Sequence, residues 1–195
     1  MSALQAIRPD YSFADYLVIE EEAEYKSEYI NGQIVAMAGA SANHNRIASN
    51  LHATIYNALD EKPCETFISD LRVWIEDKQR GTYPEVMVVC GKLEFYTDRT
   101  DTITNPTVII EVLSKSTAGI DRGAKFQAYW KLPSFAEYVL VDQYRVQVEY
   151  FRRVSEKEWQ LLVFTNLDDT LILQSVGVEL SLSRIYRKVV WEKTA

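Results

Sequence analysis

Two hydrophobic periods alternate along this chain, and the switches between them mark its elements. Ser12, with Asp15 three residues on, is placed to cap a first helix over about 13–24. Asn31-Gly32 separates Ser27–Ile30 from Gln33–Met37, which signals a hairpin because both turn positions favour φ > 0. Ile47, Leu51, Ile55 and Leu59 recur every four residues and predict one buried stripe of a helix from Asn45 to Leu59, stopped by Pro63. Thr66 to Ile75 alternates with period two and reads as a single strand, with a turn at Gly81. The continuous runs Val86–Val89 and Thr107–Leu113 have the pattern of strands buried on both faces. A helix over about 121–131, ended by Pro133, leads to a strand at Glu137–Asp142. Arg145–Phe151 and Trp159–Phe164 predict a hairpin, Leu171–Leu180 a further strand, and the chain closes on a short basic helix.

The middle order is therefore helix, three strands, helix, strand. That predicts an α/β fold with a mixed sheet flanked by helices, an N-terminal helix and hairpin, and a C-terminal strand extension. A length of 195 residues, with 47% hydrophobic residues, suits one domain over 1–195 with a core that needs no staples. Low-complexity segments, linkers and internal repeats are absent from the sequence.

Charge changes the picture in one respect. The net charge of −7 argues against indiscriminate binding to nucleic acid, but the excess is local. Between Asp10 and Glu28 seven acids face one base, whereas residues 121–153 carry six bases and four acids. The acidic run reads as a solvated helix face, so a polyanionic substrate elsewhere on the surface stays compatible with the composition. No stretch approaches 18 apolar residues, and the first residues lack the basic and apolar regions of a secretion signal. Cys64 and Cys90 are too few for a zinc quartet or a disulfide framework and are read as reduced core or edge residues. A cytoplasmic protein without membrane attachment is expected.

Two acids interrupt the buried runs. Glu111 stands inside Val-Ile-Ile-Glu-Val-Leu, where a carboxylate costs several kcal/mol unless it is paired, protonated or bound to a metal. Glu85 follows Pro84 at the start of a strand, a position that tolerates the missing proline N–H. Either acid alone can be structural. If their strands are neighbours, both stand at one end of a sheet and repel unless a cation lies between them. Hard oxygen donors of this kind suit Mg²⁺ or Mn²⁺, which can activate water and stabilise charge on a phosphate, and a nearby lysine would complete such a site.

Pro84-Glu85 followed by Glu111-Val112-Leu113-Ser114 resembles the Uma2-like family (DUF820) of the PD-(D/E)xK nuclease superfamily. Glu28 to Gly32, Ser41 to Arg46, Ser69 to Val73, Tyr83 to Cys90, Asn105-Pro106-Thr107, Glu111 to Thr117, Asp121 to Lys125 with Tyr129, and Glu137 to Asp142 follow in the family's order. The resemblance implies a restriction-endonuclease-like core, αβββαβ, and metal-dependent hydrolysis of DNA phosphodiesters, with Glu85 and Glu111 as metal ligands. Two positions depart from the pattern. Glu85 stands where the family has Asp, and one extra methylene moves its oxygens by about 1 Å, a misplacement that can cost ~10²-fold in rate. Leu113 occupies the position of the motif lysine, and Lys125, on the next helix with Asp121 and Tyr129 on the same face, matches a migrated lysine. Lys115 competes for that role if the strand continues through it.

Glu28, in the hairpin, is a further catalytic candidate as an outer ligand, and Asp70 a metal candidate lining the same cleft. His44, heading its helix, is a candidate contact for phosphate or water, as is Lys115 for substrate. Tyr83, Tyr129 and Trp130 are candidates for base stacking. A nuclease-like binding module that has lost turnover is the competing function. Cleavage of both strands of a duplex requires two sites, which would suit a homodimer.

Overall fold

The computed structural model describes residues 10–191. The reading of the first residues as free of a secretion signal falls on 1–9, outside the described residues.

Helix α1 (Phe13–Glu22) starts on a capping box: Ser12 Oγ accepts from Asp15 N at 3.1 Å, and the Asp15 carboxylate accepts from Ser12 N at 3.0 Å. The hairpin of β1 (Ser27–Ile30) and β2 (Gln33–Ala36) turns on Asn31 and Gly32, with φ of 50° and 81°. A Cβ at Gly32 would also run into the Asp10 carboxylate. Helix α2 (Ala42–Ala58) buries Ile47, Leu51 and Ile55, with Leu59 at its C-cap, as the four-residue spacing predicts.

The remaining elements are β3 (Cys64–Ile68), β4 (Arg72–Ile75), β5 (Arg80–Thr82), β6 (Val86–Cys90), β7 (Thr102–Ile103), β8 (Val108–Leu113), α3 (Ala118–Ile120), α4 (Phe126–Tyr129), β9 (Glu137–Asp142), β10 (Val148–Ser155), β11 (Glu158–Phe164), β12 (Thr170–Leu173), β13 (Val178–Ser181) and α5 (Leu182–Ile185). A six-stranded sheet runs β11-β10-β9-β8-β6-β3. Its central pair β8 and β9 is parallel, joined by the α3–α4 crossover, and the other neighbours are antiparallel. A second sheet runs β2-β1-β5-β4-β7. The mixed α/β core is the expected one.

Alternation along the central strands sorts two cores. Val86, Val88, Val108, Ile110, Val112, Val139 and Val141 pack with α2 and the β12–β13 hairpin. Met87, Ile109, Leu113, Tyr138 and Leu140 pack with α4 and Phe135. Glu111 has the parity of the second set. A third cluster, in which Phe13 stacks on Trp74 with ring centroids 3.6 Å apart, seats α1 and β1 together with Tyr16 and Tyr29.

Several expectations need correction. Residues 66–75 are not one strand: the chain turns at Ser69 (φ 32°), leaving β3 in the larger sheet and sending β4 into the smaller. Period two runs on through the turn, so alternation alone hid it. Leu171–Leu180 is likewise a hairpin, β12 and β13, with Gly177 at φ 60°. The helix expected from 121 starts three residues earlier, and its middle, Asp121–Lys125, is a π-turn. Cys64 and Cys90 are not reduced but form a disulfide. They face each other across the antiparallel β3–β6 ladder, a relation their 26-residue separation conceals. No helix among the described residues is long and apolar enough to cross a membrane.

Candidate active site

The register of β6 on β8 pairs Val86 with Ile110 and Met87 with Ile109. Continued by one residue, it sets Glu85 across from Glu111, so the two acids meet at one end of the larger sheet. Glu111 is buried (3% exposed) and accepts from Lys125 Nζ at 3.2 Å and from Tyr129 Oη at 3.0 Å. Lys125 arrives on the π-turn, an interruption often found at functional sites because it re-aims side chains within a helix. Its ammonium also lies 3.2 Å from Glu28 Oε1 and 3.4 Å from Asp121 Oδ1. The smaller sheet delivers Glu28: β1 pairs Tyr29 with Gly81, which puts Glu28 beside Thr82, whose hydroxyl donates to it. Arg80 Nη2 stands 3.3 Å from the other Glu28 oxygen. The site therefore lies where the two sheets and the crossover helix converge.

Glu85 is held differently. Its Oε1 is 2.8 Å from His44 Nε2, in the first turn of α2, and its Oε2 accepts from Ser69 Oγ at 3.2 Å. Ser69 belongs to the turn that ends β3, so the turn that broke the expected strand supports an acid of the site. The longer side chain of Glu85 is thus matched to its partners. Glu85→Asp is expected to lose both contacts and lower any activity of this site ten- to a hundredfold, roughly the cost of a 1 Å misplacement. Cleavage rates of the two proteins would check this, and a faster Asp variant would refute it.

The electrostatics separate the acids. Burial pushes Glu111 up to about 8, with Lys125 opposing and the charges of Asp121, Glu85 and Glu28 adding to the rise. Glu28 is also pushed up by burial, but Lys125, Thr82 and Arg80 outweigh that and hold it below its ordinary range. Glu85 follows the same pattern, lowered against burial by His44, Ser69 and Lys125. Burial disfavours the Lys125 charge, yet Glu111, Tyr129, Glu28 and Asp121 raise its pKa well above normal, so it stays an ammonium.

The cluster thus sets Glu28, Glu111 and Asp121 around one lysine, with Glu85 across from Glu111 and Arg80 on the flank, and burial, reinforced by the neighbouring carboxylates, favours the protonated form of Glu111 at neutral pH. Among the described residues no group of three or more His, Cys, Asp or Glu side chains is arranged to hold a metal ion. A Mg²⁺-type ion needs only one or two carboxylates, with water and phosphate oxygens completing its shell. The Glu85–Glu111 pair and the uncompensated negative charge around it fit that requirement.

Glu85, Glu111, Lys125 and Glu28 are brought together, with His44 against Glu85. Asp70 is not part of the cluster: it is exposed in the β3–β4 turn and pairs with Lys26. Lys115 lies beyond the end of β8, in a turn, with its ammonium 5.3 Å from the centre of the Tyr144 ring. The strand continuation that would have aimed it beside Glu111 does not occur. Tyr83 and Tyr129 are buried and unavailable for stacking, and Tyr129 serves instead through its hydroxyl; Trp130 is 40% exposed. Asp121, Arg80, Thr82 and Ser69 were not among the candidates. The four-residue spacing of Asp121 to Lys125 signals the first, whereas the others depend on pairings between strands that no local pattern reveals.

A family model described as "Putative restriction endonuclease", Uma2, matches residues 13–184. An uncharacterized protein of Synechocystis sp., sll1609, is 42% identical over 148 residues, covering 76% of this chain and 84% of its own. A second from the same organism, slr1290, is 37% identical over 179 residues, covering 92% and 93%. A crystal structure of a putative nuclease belonging to DUF820, from Anabaena variabilis, superposes with a TM-score of 0.76 at 19% identity, covering 92% of this chain and 99% of that one. That likeness shows the fold.

Proposed function

Since the chain belongs to the Uma2 family, we propose that it is a metal-dependent endonuclease acting on DNA, its residues 1–195 working as one domain. The convergence of Glu85 and Glu111 beside a buried ammonium carries this reading. Glu85 and Glu111 would hold Mg²⁺ or Mn²⁺, which when bound supplies Lewis-acid stabilisation of phosphate charge and a more acidic water. Lys125 keeps its proton and therefore cannot act as a base. It donates, either to the attacking water or to the phosphate oxygen on which charge develops. Glu28, Asp121 and Tyr129 fix where that ammonium points. His44 and Ser69 fix both oxygens of Glu85, which holds the pair in register.

The test is nicking of supercoiled plasmid. Wild-type protein is expected to cut with Mg²⁺ or Mn²⁺ and to stop when the ion is chelated, and Glu85→Ala is expected to lose at least about a hundredfold, the scale of one lost electrostatic contact in a transition state. Equal cutting by both proteins, or cutting that survives chelation, would end the proposal. DNA retention without cleavage under every divalent cation would favour the binding module.

A further inference from the structure

We propose that Gln143, acting through Ser41, is a positioning residue that clamps the N-terminus of α2 to the end of β8 and so holds His44 against Glu85. This rests on the reading of Glu85 as part of the working site. Gln143 lies in the bend after β9, outside every strand, yet it is 3% exposed. A buried primary amide needs partners at both ends. Its Nε2 donates to Leu113 O at 2.8 Å, and its Oε1 accepts from Ser41 Oγ at 2.5 Å. The amide orientation is forced, because a carbonyl oxygen can only accept and the nitrogen must therefore face Leu113.

Ser41 uses its hydroxyl twice. It donates to Gln143 and accepts from His44 N at 3.1 Å, as the N-cap of α2. The bonds thus run from Leu113, two residues beyond Glu111, through Gln143 and Ser41 to His44, whose ring lies 2.8 Å from Glu85. The path links the strand carrying one acid to the helix that orients the other. A leucine at 143 would fill the space and make neither bond.

The competing account is that Ser41 merely caps a helix and Gln143 merely satisfies a carbonyl. Two substitutions at Ser41 separate the cases. Ser41→Asp keeps the cap, since a carboxylate accepts from His44 N, but has no proton to give Gln143. Ser41→Thr keeps both functions. The chain has two histidines, His44 and His52, so imidazole ¹⁵N resonances at fixed pH report His44 with an internal reference. Ser41→Asp and Gln143→Leu are expected to shift the His44 ring resonances in the same direction while His52 stays in place, and Ser41→Thr to match wild type. In plasmid nicking both should lower kcat about tenfold with KM unchanged. If Ser41→Asp leaves the His44 resonances and kcat at wild-type values, the serine is a cap alone and the proposal is overturned. Should wild-type protein cut nothing with any divalent cation, the endonuclease reading fails, and the His44 resonances still decide the clamp.

Discussion

Glu111→Gln is expected to abolish cleavage and, in metal-free buffer, to make the protein more stable, increasingly so as pH rises. Glutamine has the shape of the protonated acid and can still accept from Lys125 and Tyr129, so the packing of the site survives. What is removed is ionisation. The folded-state pKa of Glu111 is raised from 4.5 to about 8, so between those values the native protein holds a proton that the unfolded chain has released. Stability from this group is therefore complete below pH 4.5 and drains away as pH climbs through 8. Each unit of difference corresponds to about 1.4 kcal/mol, so the wild-type protein should lose on the order of 3 kcal/mol between pH 5 and pH 9 that the variant keeps. For a chain of this size that is roughly 10 °C in melting temperature. Thermal melts in chelator at pH 5 and pH 9 would measure it, and parallel pH dependence of the two proteins would refute it. Activity should fall by at least ~10³-fold, the loss typical of a principal electrostatic contact.

The parts of this molecule that sequence patterning reaches are those governed by local periodicity. The stripe Ile47, Leu51, Ile55 predicted α2, Asn31-Gly32 predicted the first hairpin, and two acids within buried runs pointed to strand ends that the β6–β8 register brings together. Period two could not show where β3 ends and β4 begins, because both strands alternate and only the left-handed turn at Ser69 separates them. The same blindness hid the disulfide, since Cys64 and Cys90 meet through ladder register. Lys125 was reachable because Asp121, Lys125 and Tyr129 share helical spacing. Arg80 and Thr82 were not, because their role comes from β5 lying beside β1, and that neighbour relation is set by the aromatic seat of Phe13, Tyr29 and Trp74. Asp70 and Lys115 lie outside the cluster for one reason: each reading assumed that a strand runs on where the chain turns.

Lys125→Met should be the most disruptive single substitution in the site, and the cause can be separated from loss of chemistry. The ammonium faces Glu111, Glu28 and Asp121 within 3.4 Å, and the Lys125 residue is 8% exposed. Methionine fills similar space but leaves Asp121 without its ammonium partner and Glu28 with Arg80 alone, and removing one partner of a buried ion pair costs roughly 3–5 kcal/mol. Those carboxylates are relieved by protonation, so the variant should regain stability relative to wild type as pH falls. Removing a second charge should have the same effect. Lys125→Met with Glu28→Gln is expected to recover a large part of the loss, because the coupling lies between these two groups. It should not recover cleavage, since no ammonium remains to donate to the phosphate or the water. Urea unfolding of wild type, both single variants and the double variant, with plasmid nicking on each, makes the cycle. A single variant as stable as wild type would show that Lys125 is not the countercharge of the cluster. A folded double variant that cuts at the wild-type rate would show that the ammonium has no part in the reaction.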